Sequence, residues 1–256
     1  MITSILTIAK NTFRETIRDR ILLSALVTII AIILFTLFIG SLSLGESTRV
    51  ILDFGVTAIY VLQLFVAIFI ASSLMYREIE QKTFYLLLTK PIKRSEILLG
   101  KALGLTGTAL LVTAISTLAL FIILFFRNDT SYYLLILLSI FYSMLEMILL
   151  ILISMLFSSF TSPLLAALGT IAMYFIGHAG AIFRYIFMTT TSTLAEFLSR
   201  AAYYLLPNFE KFNLRNDIIA HIYPSPLHVL VTVAYAATYA ILLLFVSLLA
   251  FRKRDF

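Results

Sequence analysis

Residues 77–101 read REIEQKTFYLLLTKPIKRSEILLGK. This is the one long, charged, patterned segment between apolar runs that are otherwise long enough to cross a bilayer. It holds six of the nineteen basic residues: Arg77, Lys82, Lys90, Lys93, Arg94 and Lys101. A chain that mostly faces lipid needs no such segment simply to turn around, so it reads as a surface built to meet something soluble. Glu78, Glu80, Gln81 and Lys82 are polar nearly in succession, which marks where the preceding helix leaves lipid. Phe84 to Leu88 is then apolar over about one and a half turns. That run is far too short to span, so it lies in the interface or buries itself in another protein. Lys90-Pro91 ends it, because the residue before a proline is pushed out of the helical region. Ser95 is placed to cap the next helix, with Glu96 favourable in its first turn. Gly100, Gly104 and Thr108 are small residues four apart, a spacing that lets another helix approach closely.

The rest of the chain explains why that segment stands out. It is 61% hydrophobic and 12% charged, with a mean hydropathy of +1.05. An ordinary soluble domain is about a quarter charged, so the expected class is an all-α integral membrane protein. The net charge of +6 does not point to nucleic acid, since the basic residues sit at the ends of apolar runs and form no separate basic domain. There is no Cys, which excludes disulfides and thiolate metal sites. There is no Trp, so an interfacial aromatic belt must come from Tyr and Phe. The first twenty residues lack the short apolar core and small-residue cleavage site of a signal peptide. The first apolar run is therefore expected to be an uncleaved anchor.

Six runs reach spanning length, at Ile21–Leu44, Val50–Tyr76, Ala102–Phe126, Tyr132–Phe157, Leu164–Phe187 and Leu227–Phe251. In lipid each must satisfy its own backbone, so each is expected to be a helix. With both termini on one side, that side carries thirteen of the nineteen Lys and Arg residues. The positive-inside rule then puts both termini and residues 77–101 in the cytoplasm. Ile2, Ile5, Leu6, Ala9, Phe13 and Ile17 keep helical phase while Lys10, Arg14, Glu15, Arg18 and Asp19 fall elsewhere, which predicts an amphipathic helix lying in the inner interface. Met188–Ser225 is the only sizeable outer segment. Thr189–Thr193 is placed to cap a helix whose apolar face is Leu194, Phe197, Leu198, Ala201 and Leu205, and Pro207 with Asn208 stops it. A second short piece, Asp217–Ile222, precedes Tyr223-Pro224-Ser225-Pro226. Both pieces are expected to lie on, or dip into, the outer interface.

The charged segment resembles the cytoplasmic hallmark of ABC-2 type transporter permeases. The matching residues are Arg77-Glu78, Glu80, Thr83, Leu86-Leu87-Leu88, Lys90-Pro91, Arg94 and Gly100-Lys101. The likeness extends to the amphipathic start, the six spans, the outer helices before the last span and the closing Phe251-Arg252-Lys253-Arg254-Asp255, so it covers essentially the whole chain. It implies a single transmembrane domain over residues 1–256, with an elbow helix at 1–20, a coupling segment at 77–101 and an extracytoplasmic helical segment at 188–226. It further implies a permease subunit, with export as the expected direction, that dimerises with itself or a similar chain and binds two ATPase subunits. The docking residues would be Glu78, Glu80, Lys82, Thr83, Phe84, Lys90 and Pro91. Gln81-Lys82, where many members have glycine, and Leu206-Pro207-Asn208-Phe209 look closer to the branch that holds the copper-site maturation permease of nitrous oxide reductase. That branch suggests an alternative: a subunit that transmits the ATPase stroke to an extracytoplasmic maturation partner in the periplasm.

No phosphate-binding loop is present. Gly100-Lys101 is followed by Ala102, and Ser95 stands where the motif needs its first glycine. ATP and Mg would be held by the partner ATPase, and no residue of this chain is read as catalytic. Within the membrane, Glu146 sits near the centre of the fourth span, where a carboxylate costs roughly 2.5–3.5 kcal/mol. His178 lies in the fifth span, within Gly177-His178-Ala179-Gly180. The depths of the two differ by only about 5 Å, so they meet if those spans pack face to face. Residue type alone favours a solitary histidine beside a glycine kink. Glu146 and His178 are the candidate residues of a translocation path, and Glu146 is also the base for a third reading, a stand-alone proton-coupled carrier. Met144, Met147 and Met155 read as gap-fillers rather than a metal path, and Arg184 as a snorkelling anchor.

Overall fold

The structure is a computed structural model that describes residues 2–42, 47–74 and 93–252. Among the described residues every regular element is helical. Helix α1 is Ile2–Ile17, α2 is Arg20–Leu42, and α3 is Ser47–Phe65, followed by a π-helical turn at Val66–Ile70. Then come α4 (Arg94–Phe126), α5 (Tyr133–Ser158), α6 (Pro163–His178), α7 (Gly180–Thr189) and α8 (Thr193–Leu205). A 3-10 turn at Phe209–Phe212, the short α9 (Arg215–Ile219) and α10 (Pro226–Arg252) complete the described chain.

Five of these helices are long and apolar enough to cross a membrane: α2, α3 continued to Leu74, α4, α5 and α10. There are six if α6 and α7, bent by 57° at their junction, form one broken span. The run Leu164–Phe187 is therefore not one straight helix. Its break falls at Ala179, between Gly177 and Gly180, where the backbone leaves the helical region. The other spans follow the apolar runs to within a few residues, except that α4 begins eight residues before Ala102. At about 1.5 Å per residue α4 is about 50 Å long, well beyond a hydrocarbon layer of about 30 Å. Its first turns carry the charged residues Arg94, Glu96 and Lys101.

Those first turns are where α1 packs. A Cβ on Gly100 would fall 2.7 Å from the Cβ of Ile8, and one on Gly104 would fall 2.6 Å from the Cβ of Thr12 and 2.7 Å from the carbonyl oxygen of Ala9. The small residues thus admit the N-terminal helix itself. Thr12 and Thr16 are buried in the contact, and the Thr16 hydroxyl donates back to the Thr12 carbonyl at 2.7 Å. Lys101 is buried beneath the same helix, while Leu6, on the adjoining apolar strip, stays exposed. Asp19 separates α1 from α2 and caps the latter, its carboxylate accepting from the Ile21 N–H at 2.9 Å.

At the other end of α4 a tight turn leads into α5. Asn128 adopts a positive φ of 59° there, a region that Asn tolerates better than most residues. Arg127 donates to Ser47 and Thr48 to Asp129, which ties this turn to the start of α3. The core lies between α3, α4 and α5, with α2, α6 and α10 packed around them. The π turn in α3 meets α5: Ser154 Oγ donates to the Ile68 carbonyl at 3.4 Å, while Ser158 Oγ donates within its own helix to the Ser154 carbonyl at 2.7 Å and lies 3.3 Å from the carbonyl oxygen of Ser72.

The outer pieces differ from one another. Helix α8 presents Leu194, Phe197, Leu198 and Leu205 outward, as expected of a helix lying against an apolar phase. The second piece does not lie on a surface. Phe209, Phe212, Leu214 and Ile218 are all buried, and the segment wedges between α3, α5 and α6. Its α-helical part is a single turn that starts before Asp217 and ends before Ile222. The expectation of two interfacial helices is corrected to one exposed helix and one inserted wedge.

The α1–α4 contact makes a sharp prediction. Replacing Gly by Ala inside a helix gains about 1 kcal/mol from propensity. At Gly104 the new methyl would meet backbone of α1, and overpacking costs about 1–3 kcal/mol. Gly107 offers ordinary contact instead, 3.4 Å to the Phe13 ring. Gly104→Ala is expected to lower the melting temperature of the purified protein and Gly107→Ala to leave it unchanged or raise it, as read by thermal unfolding in detergent.

Candidate functional site

The buried carboxylate of Glu146 is the starting point. It sits mid-way along α5, 1% exposed, and its Oε1 receives two partners. The Tyr60 hydroxyl, from α3, donates to it at 2.7 Å, and His178 Nε2, from the last turn of α6, lies 3.0 Å away. The solitary-histidine reading is therefore corrected: α5 and α6 pack together, and the glycine break does not isolate the ring but presents it to the carboxylate. Tyr174, one turn before His178, places its hydroxyl 3.3 Å from that of Tyr60. Tyr60 has a single proton to donate, and the shortest contact assigns it to Glu146.

The histidine has a second carboxylate on its far side. His178 Nδ1 lies 3.0 Å from Glu210 Oε2. Both ring nitrogens are thus engaged by carboxylates, from α5 on one side and from the wedge on the other. The imidazolium satisfies both contacts as a donor. A neutral ring donates to one carboxylate and accepts from the other only if that partner carries a proton.

Glu210 arrives there because of the local sequence around it. Pro207 ends the preceding segment. The Asn208 side chain accepts from the Glu210 N–H at 3.1 Å, and its own N–H donates to the Tyr235 hydroxyl on α10 at 2.7 Å. Tyr239 Oη donates to the Leu206 carbonyl at 3.2 Å. Phe209 then packs on Gly177, where any Cβ would stand 2.2 Å from the Phe209 ring. Gly180 likewise makes room for the Asn208 side chain. The two glycines flanking the break are therefore seats for the wedge.

The loop closes on Tyr60 from above. Asn213 Nδ2 donates to Glu210 Oε1 at 3.1 Å, and Arg215 Nε donates to Asn213 Oδ1 at 3.3 Å. The Arg215 guanidinium lies over the Tyr60 ring, 4.1 Å from its centroid, a cation–π placement. A cavity of about 10 Å³ beside Tyr60, Ser139, Ser143, Asn213 and Arg215 has room for about one water.

Glu146 and His178 are the only two of the sequence-selected residues that the described structure brings together. Glu78, Glu80, Lys82, Thr83, Phe84, Lys90 and Pro91 lie outside the described residues. Tyr60, Glu210 and Arg215 were not singled out by sequence. A tyrosine in the middle of a span was a usable signal for the first; nothing local marks the other two. Met144 and Met147 are buried core residues, with the Thr113 hydroxyl 3.7 Å from the Met144 sulfur. Among the described residues no group of His, Cys, Asp and Glu is arranged to hold a metal ion.

Two substitutions probe this architecture. Gly177→Ala forces Phe209 from its seat, an overpacking cost of about 1–3 kcal/mol, and is expected to speed hydrogen exchange across residues 206–222 while sparing α1 and α4. Tyr60→Phe removes a hydrogen bond to a charged or chargeable group, worth about 1.5–3 kcal/mol, and is expected to lower the melting temperature with little change in exchange at the wedge.

Comparison with curated proteins returns no match for the chain. A family model described as "Protein of unknown function (DUF2705)" matches residues 44–256, and the chain belongs to that family.

Proposed function

We propose that this chain is the membrane-spanning permease subunit of an ATP-driven transporter of the ABC-2 class. It works as a homodimer or with a similar chain, lies in the cell membrane with both termini cytoplasmic, and relies on a separate ATPase for ATP and Mg. The observation that carries this reading is the packing of α1 on the first turns of α4. Those turns follow directly on the segment that resembles a coupling loop. A push delivered to that segment enters α4 and the amphipathic helix as one unit, because Gly100 and Gly104 leave no slack between them. The exposed strip containing Leu6 suits a helix held at an interface. The bundle beyond is apolar on its outside, as lipid or an amphiphilic cargo requires.

A second reading has its own support. The wedge at 209–219 is bound to α3, α5, α6 and α10, so movement of the spans is transmitted to the outer segment. A subunit that passes the ATPase stroke to an extracytoplasmic partner would use that linkage. The two readings differ in whether cargo crosses the membrane.

The decisive measurement is co-purification with a co-expressed candidate ABC ATPase subunit from the same organism, followed by ATP hydrolysis in lipid. The expected result is a stable complex whose hydrolysis falls about tenfold in Glu78→Ala, Glu80→Ala or Phe84→Ala, the loss of roughly 1.4 kcal/mol of coupling. Failure to form a complex, or hydrolysis indifferent to all three changes, overturns the ATP-driven reading.

A further inference from the structure

The geometry points to a proton relay built into this fold: Glu210, His178 and Glu146 carry a proton between solvent and the buried carboxyl group of Glu146. This goes beyond the ATP-driven reading and does not depend on it.

Three observations carry the inference. First, exposure falls in order along the three side chains, from 54% at Glu210 through 18% at His178 to 1% at Glu146. One end lies at the surface of the molecule and the other does not. Second, each ring nitrogen faces one carboxylate oxygen at 3.0 Å, Nδ1 to Glu210 and Nε2 to Glu146. A pairing that only neutralised Glu146 would need one of these contacts. An imidazole between two carboxylates can accept a proton on one side and release one on the other without moving. Third, the inner end is prepared for the change of charge. The Tyr60 hydroxyl donates to the same Glu146 oxygen at 2.7 Å and is backed by the Tyr174 hydroxyl at 3.3 Å.

The groups that face the relay come from each element around it. Helix α3 supplies Tyr60 and α6 supplies Tyr174. The wedge supplies Glu210 and, over the Tyr60 ring, Arg215, which also shares a cavity of about 10 Å³ with Asp53. Helix α10 supplies Tyr235, bound to the Asn208 N–H, with the Lys211 ammonium 4.0 Å above its ring. The cations therefore sit on the wedge side, and among the described residues the polar partners of Glu146 are the Tyr60 hydroxyl and the imidazole.

The step balances without a redox partner. Water delivers a proton to the Glu210 carboxylate. That proton passes to Nδ1 as the Nε2 proton passes to Glu146 Oε1. One proton has then moved from solvent to Glu146, and the ring has changed from its Nε2–H to its Nδ1–H tautomer. Reversal of the same transfers empties the site. Movement of Phe209 off Gly177 would withdraw Glu210 and open the relay, so the seating of the wedge gates it.

The test uses the full chain in lipid nanodiscs and the infrared carbonyl band of protonated carboxyl groups, followed after transfer from H₂O to D₂O. The expected result is a band that Glu146→Gln removes and that exchanges roughly tenfold or more slowly in Glu210→Gln, a conservative change at the exposed end that spares the core. His178→Gln should slow it at least as much. Exchange as fast in Glu210→Gln as in the parent chain overturns the relay and leaves a structural pair. The absence, between about pH 4 and 9, of any band that depends on Glu146 overturns it equally.

Discussion

A carboxylate in the middle of an apolar helix must be given partners, and the arrangement of α6, α7 and the wedge follows from how Glu146 gets them. No single helix can supply them. Tyr60 comes from α3 and His178 from the end of α6, so three helices must meet at one depth. For His178 to reach inward, α6 must stop where it does, and the break between Gly177 and Gly180 is what stops it. The glycines at the break in turn leave a hollow on that face. Phe209, Asn208 and Glu210 fill that hollow. One buried carboxyl group thus ties together a bend between two apolar helices, a pair of glycines and a later segment that turns back into the bundle.

The same economy of space governs the opposite end. Lipid offers no hydrophobic drive for one helix to choose another, so association depends on close packing and hydrogen bonds. Gly100 and Gly104 give α4 a flat strip on which Ile8 and Thr12 rest. Gly177 gives α6 a hollow for an aromatic ring. In both places glycine is used for proximity, not for an unusual φ. The two contacts also differ in kind. The first joins two helices along their lengths and resists sliding. The second is a plug in a socket, which can be withdrawn without dismantling the helices around it.

The spans were legible because hydropathy reports directly on them: five of the six apolar runs are continuous helices close to the boundaries read from composition. The close approach at Gly100 and Gly104 was legible as well, since small residues four apart have few other uses. Its partner was not, because two of the contact residues, Ile8 and Thr12, sit beside the apolar stripe of α1, and the stripe residues that also meet α4, Ala9 and Phe13, read equally well as facing lipid. The Glu146–His178 contact could be posed from depth but not decided, since depth along a helix says nothing of rotation about it. Glu210 was invisible for a different reason. It lies 32 residues from His178 in sequence, in a stretch that reads as a polar outer loop, and it reaches the ring only because α6 and α7 bend by 57°. No local pattern encodes that bend as a route for a distant side chain.

Helix α3 is the one element that touches both ends of this design. It starts at Ser47, bonded to the α4–α5 turn, carries Tyr60 into the buried cluster, and reaches Leu74 just before the charged segment. Between Tyr60 and Leu74 its hydrogen bonding slips into a π turn at Val66–Ile70. Such turns are uncommon and widen the helix locally, leaving carbonyls that need other donors. Ser154 provides one from α5, the helix that also carries Glu146, its hydroxyl donating to the Ile68 carbonyl at 3.4 Å. The turn is also packed tightly, with Val66, Ala67, Ile68 and Ile70 all buried. A cross-helix hydroxyl and burial on the bundle side together fix the path of α3 between Tyr60 and Leu74, so the irregular turn sets where both residues stand.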